Sequence, residues 1–210
     1  MFRIESVCKK ISDDIAKELN LDEDKKSVIY YGLFATTQIG ICILLVIIFG
    51  AILNITIEAL IVSFTISILR KSSGGIHASS PRKCAIISTI ISIGMGLICK
   101  KLYINISFTI LIGVLIFVWS YLTVYKVAPV DSLAKPIKSD KKRNRLKRNS
   151  IVILSIYLII IFLDLLYFYY KKNLSALSYS YCIYMGILWQ VFSLTKCAGV
   201  LMEKLDKYFK

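Results

Sequence analysis

Six apolar stretches, separated by short polar segments, occupy most of this 210-residue sequence. Several of them approach the roughly 20 residues that an α-helix needs to cross the hydrocarbon core of a bilayer. Hydrophobic residues make up 57% of the chain, more than a soluble domain of this size can cover with polar groups. The sequence therefore predicts an all-α, polytopic membrane protein. The predicted transmembrane helices cover residues 28–48, 51–69 or 57–69, 85–99, 102–124, 151–170 and 174–195.

The N-terminal segment alternates apolar and charged side chains at helical spacing. Such a helix suits the membrane surface, and it equally suits ordinary packing against other helices. We expect an amphipathic interfacial helix at 1–27, a transmembrane domain at 28–199 and a basic cytoplasmic tail at 200–210. The apolar positions of the first helix are Ile4, Val7, Cys8, Ile11, Ile15 and Leu19.

Lysine and arginine are distributed unevenly between the polar segments. They are concentrated in the N-terminal segment, in residues 70–83 and 126–149, and in the tail, whereas the alternate turns contain few or none. Basic residues accumulate in loops on the cytoplasmic side of a membrane. With six spans, this bias predicts that both termini and both long loops face the cytoplasm of a bacterial cell.

The polar segment between the second and third spans reads RKSSGGIHASSPRKC, from residue 70 to residue 84. Gly74 and Gly75 permit backbone conformations closed to other residues, and they predict a tight turn. Proline favours the first position of a helix, and Ser79 or Ser80 can cap that helix. The third span is therefore expected to begin near residue 81.

The chain's single histidine, His77, and Cys84 are candidates for the catalytic dyad of a cysteine peptidase. In the first turn of its helix, the thiol lies near the positive end of the helix dipole, which favours the thiolate, as do Arg82 and Lys83. His77 precedes Cys84 by seven residues. In one continuous helix the two side chains would be roughly 10 Å apart, too far for proton transfer. The Ser-Ser-Pro break lets the loop fold back and bring them together. The alternative is an interfacial histidine and a cysteine that only packs.

The spans that flank this segment look short. Residues 85–99 give 15 residues, or about 22 Å of helix, against a hydrocarbon core of about 30 Å. We therefore expect the loop to dip into the bilayer as a re-entrant or membrane-sunk catalytic loop, shielded by protein.

Two motifs give the sequence a family resemblance. The first is GGIHA at 74–78, with a cysteine seven residues after the histidine, and the second is APVDSLAKPI at 128–137. With its length, its six apolar segments and the basic run after the second motif, the chain resembles the accessory gene regulator B (AgrB) family of quorum-sensing proteins over nearly its whole length.

The resemblance implies a membrane cysteine endopeptidase whose substrate is a short AgrD-like propeptide. Such an enzyme removes the acidic C-terminal segment of the propeptide and joins the new end to an internal side chain, which produces a cyclic thiolactone. Carried onto this chain, Cys84 is the nucleophile, and His77 is the general base and then the general acid. The resemblance also favours a homodimer.

Other residues have weaker claims to a role in the site. Gly74, Gly75 and Ser80 are expected to support the loop. Asp131, in the second motif, either orients His77 or caps the turn at the proline before it. Asp164 lies close enough to the end of its span to reach the interface, so no catalytic role is predicted for it.

The basic segment 126–149 has two interpretations. Such a run ordinarily anchors to lipid headgroups and fixes topology. Because propeptides of the family carry acidic tails, the same segment can also dock the substrate. The residues proposed for docking are Lys135, Lys138, Lys141, Lys142, Arg143 and Arg145.

Several classes of function are not supported by the sequence. The cysteines form no CxxC pair and there is one histidine, so no metal site and no cofactor are predicted. The net charge of +14 is ascribed to lipid contacts, and no nucleic-acid partner is predicted. Clustered aspartates typical of a magnesium-dependent lipid phosphotransferase are missing from the loops. The main rival is a non-catalytic peptide exporter or sensor subunit.

Overall fold

The computed structural model describes residues 2–76, 80–102, 105–131 and 139–208. These residues form helices and no strands, which confirms the predicted all-α class. The eight helices are α1 (Phe2–Glu18), α2 (Glu23–Ile52), α3 (Thr56–Ser73), α4 (Pro81–Lys101), α5 (Ile106–Val127), α6 (Asp140–Lys171), α7 (Leu174–Phe192) and α8 (Lys196–Tyr208).

Four of the described helices are long and apolar enough to cross a membrane: α2, α4 from Lys83 onward, α5 and α6. The chain is therefore a polytopic membrane protein, but the predicted count of six spans is not confirmed. The two remaining candidates, α3 and α7, do not combine that length with a sufficiently apolar sequence. In α7, the polar side chains of Ser180 and Gln190 are fully buried. A helix surrounded by other helices does not need the uniformly apolar surface that contact with lipid demands.

By its internal contacts the chain divides into two units, Met1–Leu45 and Val46–Lys210. In the first unit, α1 packs on the N-terminal part of α2. Cys8 Sγ lies 3.9 Å from Thr37 Oγ1, and Lys26 Nζ lies 2.7 Å from Asp13 Oδ1. Other apolar side chains of α1 are exposed, namely Val7, Ile11 and Leu19. A role for this helix at the membrane surface stays a prediction.

In the second unit α7 lies at the centre and contacts α3, α4, α5 and α6. Leu69, Leu154, Ile187 and Val191 are fully buried in the core that these helices share. Some of the buried polar groups at this core are paired across helices. The Tyr157 hydroxyl donates a hydrogen bond to the Thr65 carbonyl over 3.2 Å.

The helix ends correct the expectation that a short helix follows the polar segment 70–84. The third apolar stretch contains 15 residues, but α4 extends through polar residues at both ends and has 21 residues, or about 32 Å. That length is sufficient to cross a hydrocarbon core. The shortness of this span therefore no longer supports a membrane-sunk loop, and the depth of the loop stays a prediction.

Gly186 provides a test of the packing between α3 and α7. A Cβ atom at this position would lie 2.7 Å from the Cβ of Thr65, closer than real Cβ atoms approach. We expect Gly186→Ala to destabilise the protein by about 1–3 kcal/mol, because the helices must separate. The measurement is thermal unfolding in detergent. The control is Gly94→Ala in α4, where a Cβ meets nothing within 4 Å; equal melting temperatures for the two variants would contradict the prediction.

Candidate active site

Cys84 is positioned by the start of α4. The side chain of Ser80 accepts a hydrogen bond from the Lys83 amide over 3.3 Å and so caps the helix, and proline follows at its beginning. The Cys84 amide donates to the Ser80 carbonyl over 3.0 Å. The thiol therefore belongs to the first turn of the helix, at the positive end of its dipole.

The partly buried Cys84 lines a small, mainly apolar cavity of about 40 Å³. Its walls come from α3, α4, α7 and α8, with one residue from the segment after α3 and one from the segment after α7. A thiol on such a cavity faces little bulk water. The other described lining residues are Ile66, Arg70, Ile76, Ile87, Ser88, Ile91, Trp189, Phe192, Ser193, Ala198 and Leu201.

Arg70, at the end of α3, is the one charged residue among the described residues that line this cavity. Its Nη2 donates a hydrogen bond to the carbonyl of Ile76, and its buried Nε has no partner among the described residues. Burial lowers the pKa of Arg70, and attraction to Cys84 opposes that shift. Arg70 and Cys84 line the same cavity, so a positive charge lies near the thiol. Arg70 begins the polar segment 70–84 and precedes the first motif. Its role depends on a fold that the sequence pattern does not give.

The two sequence motifs meet at Gly74. Residues 74 and 75 have φ angles of 71° and 135°, which L side chains rarely adopt. Gly74 forms a parallel bridge with Val130, whose amide donates to the Ser73 carbonyl over 2.9 Å. A Cβ on Gly74 would lie 2.1 Å from the Val130 carbonyl oxygen, so only glycine fits.

The end of α7 holds the same turn from another side. Gln190 Nε2 donates to Ser73 Oγ over 3.0 Å and to the Gly74 carbonyl over 2.7 Å. The Ile76 amide donates to the Ser193 carbonyl over 3.2 Å. Gln190 and Ser193 were missed by the sequence analysis. A glutamine inside an apolar helix is the one signal that points to such a role.

The remaining predicted site residues are only partly accounted for. His77, Lys135 and Lys138 lie outside the described residues. The carboxylate of Asp131 accepts a hydrogen bond from Arg143 Nη2 over 3.0 Å. Its proposed role in orienting His77 stays a prediction.

The basic segment is partly helical. The first turns of α6, with the residue before them, line an open cleft of about 590 Å³. Ser139, Asn144 and Arg148 are among the lining residues. Lys141, Lys142 and Arg145 lie at this cleft and are exposed. These side chains form a cationic surface on α6, separate from the Cys84 cavity.

A family model described as "Accessory gene regulator B" matches residues 8–194. The chain belongs to the AgrB family. It is 40% identical over 208 residues to AgrB-like protein 2 of Clostridium perfringens strain 13, covering 98% of this chain and 97% of that protein. An AgrB-like protein of strain SM101 is equally similar, with the same coverage. AgrB-like protein 1 of strain 13 is 28% identical over 154 residues, or 73% of this chain and 79% of the relative.

No solved structure matches the chain. Membership of the AgrB family supports a role in the processing of an agr quorum-sensing peptide at a membrane. The resemblance found from the two motifs is thereby confirmed.

Arg70 provides a test of the electrostatics at Cys84. We expect Arg70→Met to slow alkylation of Cys84 by iodoacetamide several-fold at pH 7, because the positive charge that favours the thiolate is lost. At pH 10, where thiols ionise without help, the rate should change little. Mass spectrometry of the Cys84 peptide gives both rates. Lys71→Met, at the exposed neighbouring position, is the control; an equal effect at Lys71 would contradict a specific role for Arg70.

Proposed function

We propose that this protein is a membrane-embedded cysteine endopeptidase that cleaves an AgrD-like propeptide through an acyl-enzyme thioester and promotes cyclisation to a thiolactone autoinducing peptide. The observation that carries the proposal is the position of Cys84, at a helix N-terminus, on an apolar cavity and beside Arg70. The family match supplies the class of substrate.

In the first step, the Cys84 thiolate attacks the carbonyl carbon of the scissile peptide bond. His77 accepts the thiol proton and then donates it to the leaving nitrogen as the C–N bond breaks. The products are a free amine on the released acidic segment and a thioester on Cys84. Atoms and charge balance without a cofactor.

In the second step, a cysteine thiol of the peptide gives its proton to His77 and attacks the thioester carbonyl. The bond to Cys84 breaks, and the Cys84 thiolate and the protonated His77 are restored. One thioester replaces another, so this exchange is nearly isoenergetic. Formation of the first thioester from an amide is uphill, and removal of the released segment drives the cycle. Water competes with the internal thiol, and the apolar walls of the cavity favour cyclisation because they keep water from the intermediate.

The cationic surface on α6 is proposed to dock the acidic segment of the propeptide. Lys141, Lys142 and Arg145 are exposed there. Arg143 already contacts Asp131, which leaves less of its charge for a substrate. The substrate side is cytoplasmic if, as the distribution of basic residues favours, both termini face the cytoplasm. A homodimer also remains a proposal, on the resemblance alone.

The proposal is tested by co-expression with an AgrD-like propeptide. We expect Cys84→Ala and His77→Ala each to abolish cleavage while the protein remains in the membrane fraction, because each removes one partner of the proton transfer. Cleavage is followed by mass spectrometry of the peptide. Cys197→Ala, at an exposed thiol, is the control and should cleave normally. Normal cleavage by Cys84→Ala would favour the non-catalytic exporter or sensor subunit.

Docking is tested by neutralising the cationic surface. We expect the triple variant Lys141→Gln, Lys142→Gln and Arg145→Gln to raise the half-saturating propeptide concentration several-fold and to weaken its dependence on salt. The rate at saturating propeptide should hardly change, since the surface is separate from the Cys84 cavity.

The matched control for docking is a second triple neutralisation on exposed positions of α1, namely Lys9→Gln, Lys10→Gln and Lys17→Gln. If both triple variants bind propeptide alike, the effect is one of net charge, and the docking surface on α6 is refuted.

A further inference from the structure

Gln190 is fully buried at the C-terminal end of α7, far in the sequence from both motifs. Burying a primary amide is costly unless its polar atoms are paired. Its two N–H groups are used at one place, the end of α3, where they reach Ser73 Oγ at 3.0 Å and the Gly74 carbonyl at 2.7 Å. Its Oε1 is buried and has no hydrogen-bond partner among the described residues.

These contacts form one side of a clamp on three successive residues. Gly74 is held by Gln190 and by the bridge to Val130. A Cβ on Gly75 would lie 2.7 Å from Ser193 Oγ, and the Ile76 amide donates to the Ser193 carbonyl. The backbone at residues 74–76 thus has little freedom, although it belongs to no helix.

His77 is the next residue in the sequence, so the backbone that precedes it is held by this clamp up to residue 76. We infer that Gln190 is a positioning residue: by fixing residues 74–76 it aligns His77 with Cys84. The inference rests on the proposed function, in which His77 is the general base. A residue of α7, which lies outside both motifs, thereby has a role in catalysis.

A purely structural role would give a different result from a positioning role. Methionine is unbranched and apolar and fills nearly the same space as glutamine. If Gln190 only filled the core, Gln190→Met would be tolerated, because it removes a buried amide with an unused acceptor. If Gln190 positions His77, the same substitution should slow catalysis in a protein that remains folded.

The first measurement is propeptide cleavage by full-length Gln190→Met in membranes. We expect the rate at saturating propeptide to fall at least tenfold while the half-saturating concentration changes less than twofold, because alignment and not binding is lost. Ser178→Ala is the control. It removes a hydrogen bond of 2.9 Å to the Cys99 carbonyl at the other end of α7, and both parameters should stay unchanged.

The second measurement does not depend on a peptide. Thiols in general react as thiolates, so a partner that takes the proton speeds alkylation well below the usual thiol pKa and makes little difference above it. The two pH values chosen for Cys84 are 6.5 and 9.5, roughly one to two units either side of that usual pKa. We expect Gln190→Met and His77→Ala to lower the rate at pH 6.5 by the same factor and to leave the rate at pH 9.5 unchanged. The double variant should show no further loss, because both changes remove one interaction. Arg70 is intact in all three proteins.

Each outcome decides the inference. A Gln190→Met cleavage rate within twofold of the parent, or equal loss of alkylation at both pH values, overturns it. If Gln190→Met does not insert into the membrane, Ser73→Ala takes its place, because it removes one of the two acceptors of the Gln190 amide. Slower alkylation of Cys84 at pH 6.5 in Ser73→Ala supports the inference, and an unchanged alkylation rate refutes it. Cleavage of the propeptide by Cys84→Ala would instead refute the proposed function. A cleavage reaction that depends on Cys84 but is unchanged in Gln190→Met refutes the inference alone.

Discussion

The close approach of Gly74 to Val130 is the constraint on which the rest of the site depends. After α3 ends, the backbone is partly buried, and its polar groups need partners where water does not reach them. They find them on two distant parts of the chain, the Val130 amide and the side chain of Gln190. No side chain larger than hydrogen fits at residue 74. The turn is therefore fixed by tertiary contacts, and it in turn fixes the direction in which the chain leaves α3.

A second consequence of this arrangement is electrostatic. The turn places Ile76 within reach of Arg70, so the guanidinium stays at the cavity instead of extending to solvent. A charge interacts more strongly with a thiolate in such a poorly hydrated place than at a surface. The helix dipole of α4 acts in the same direction. The reactivity that we propose for Cys84 thus comes from the fold around it as much as from a neighbouring base.

The sequence was sufficient for features that depend on local pattern. Long apolar runs predicted the helices, and a serine before a proline predicted where α4 begins, because capping involves only adjacent residues. It was insufficient where partners are distant: Gln190 and Ser73 are separated by 117 residues, and no local signal links them. The number of spans was not settled either, since apolar composition does not separate a helix that faces lipid from one that is buried among other helices, as α7 is.

The cavity also shows why packing can decide the outcome of the reaction. In the mechanism that we propose, a thioester on Cys84 has two fates, hydrolysis and attack by the thiol of the peptide, and chemistry alone does not reserve it for the second. In this chain α8 contributes Ala198 and Leu201 to the cavity, and a Cβ on Gly199 would lie 3.3 Å from Ile76 Cδ1. The C-terminal helix thus begins against the turn that leads into His77. The wall of the cavity and the backbone up to Ile76, which precedes the proposed base in the sequence, are therefore in contact, so a change that loosens one should loosen the other.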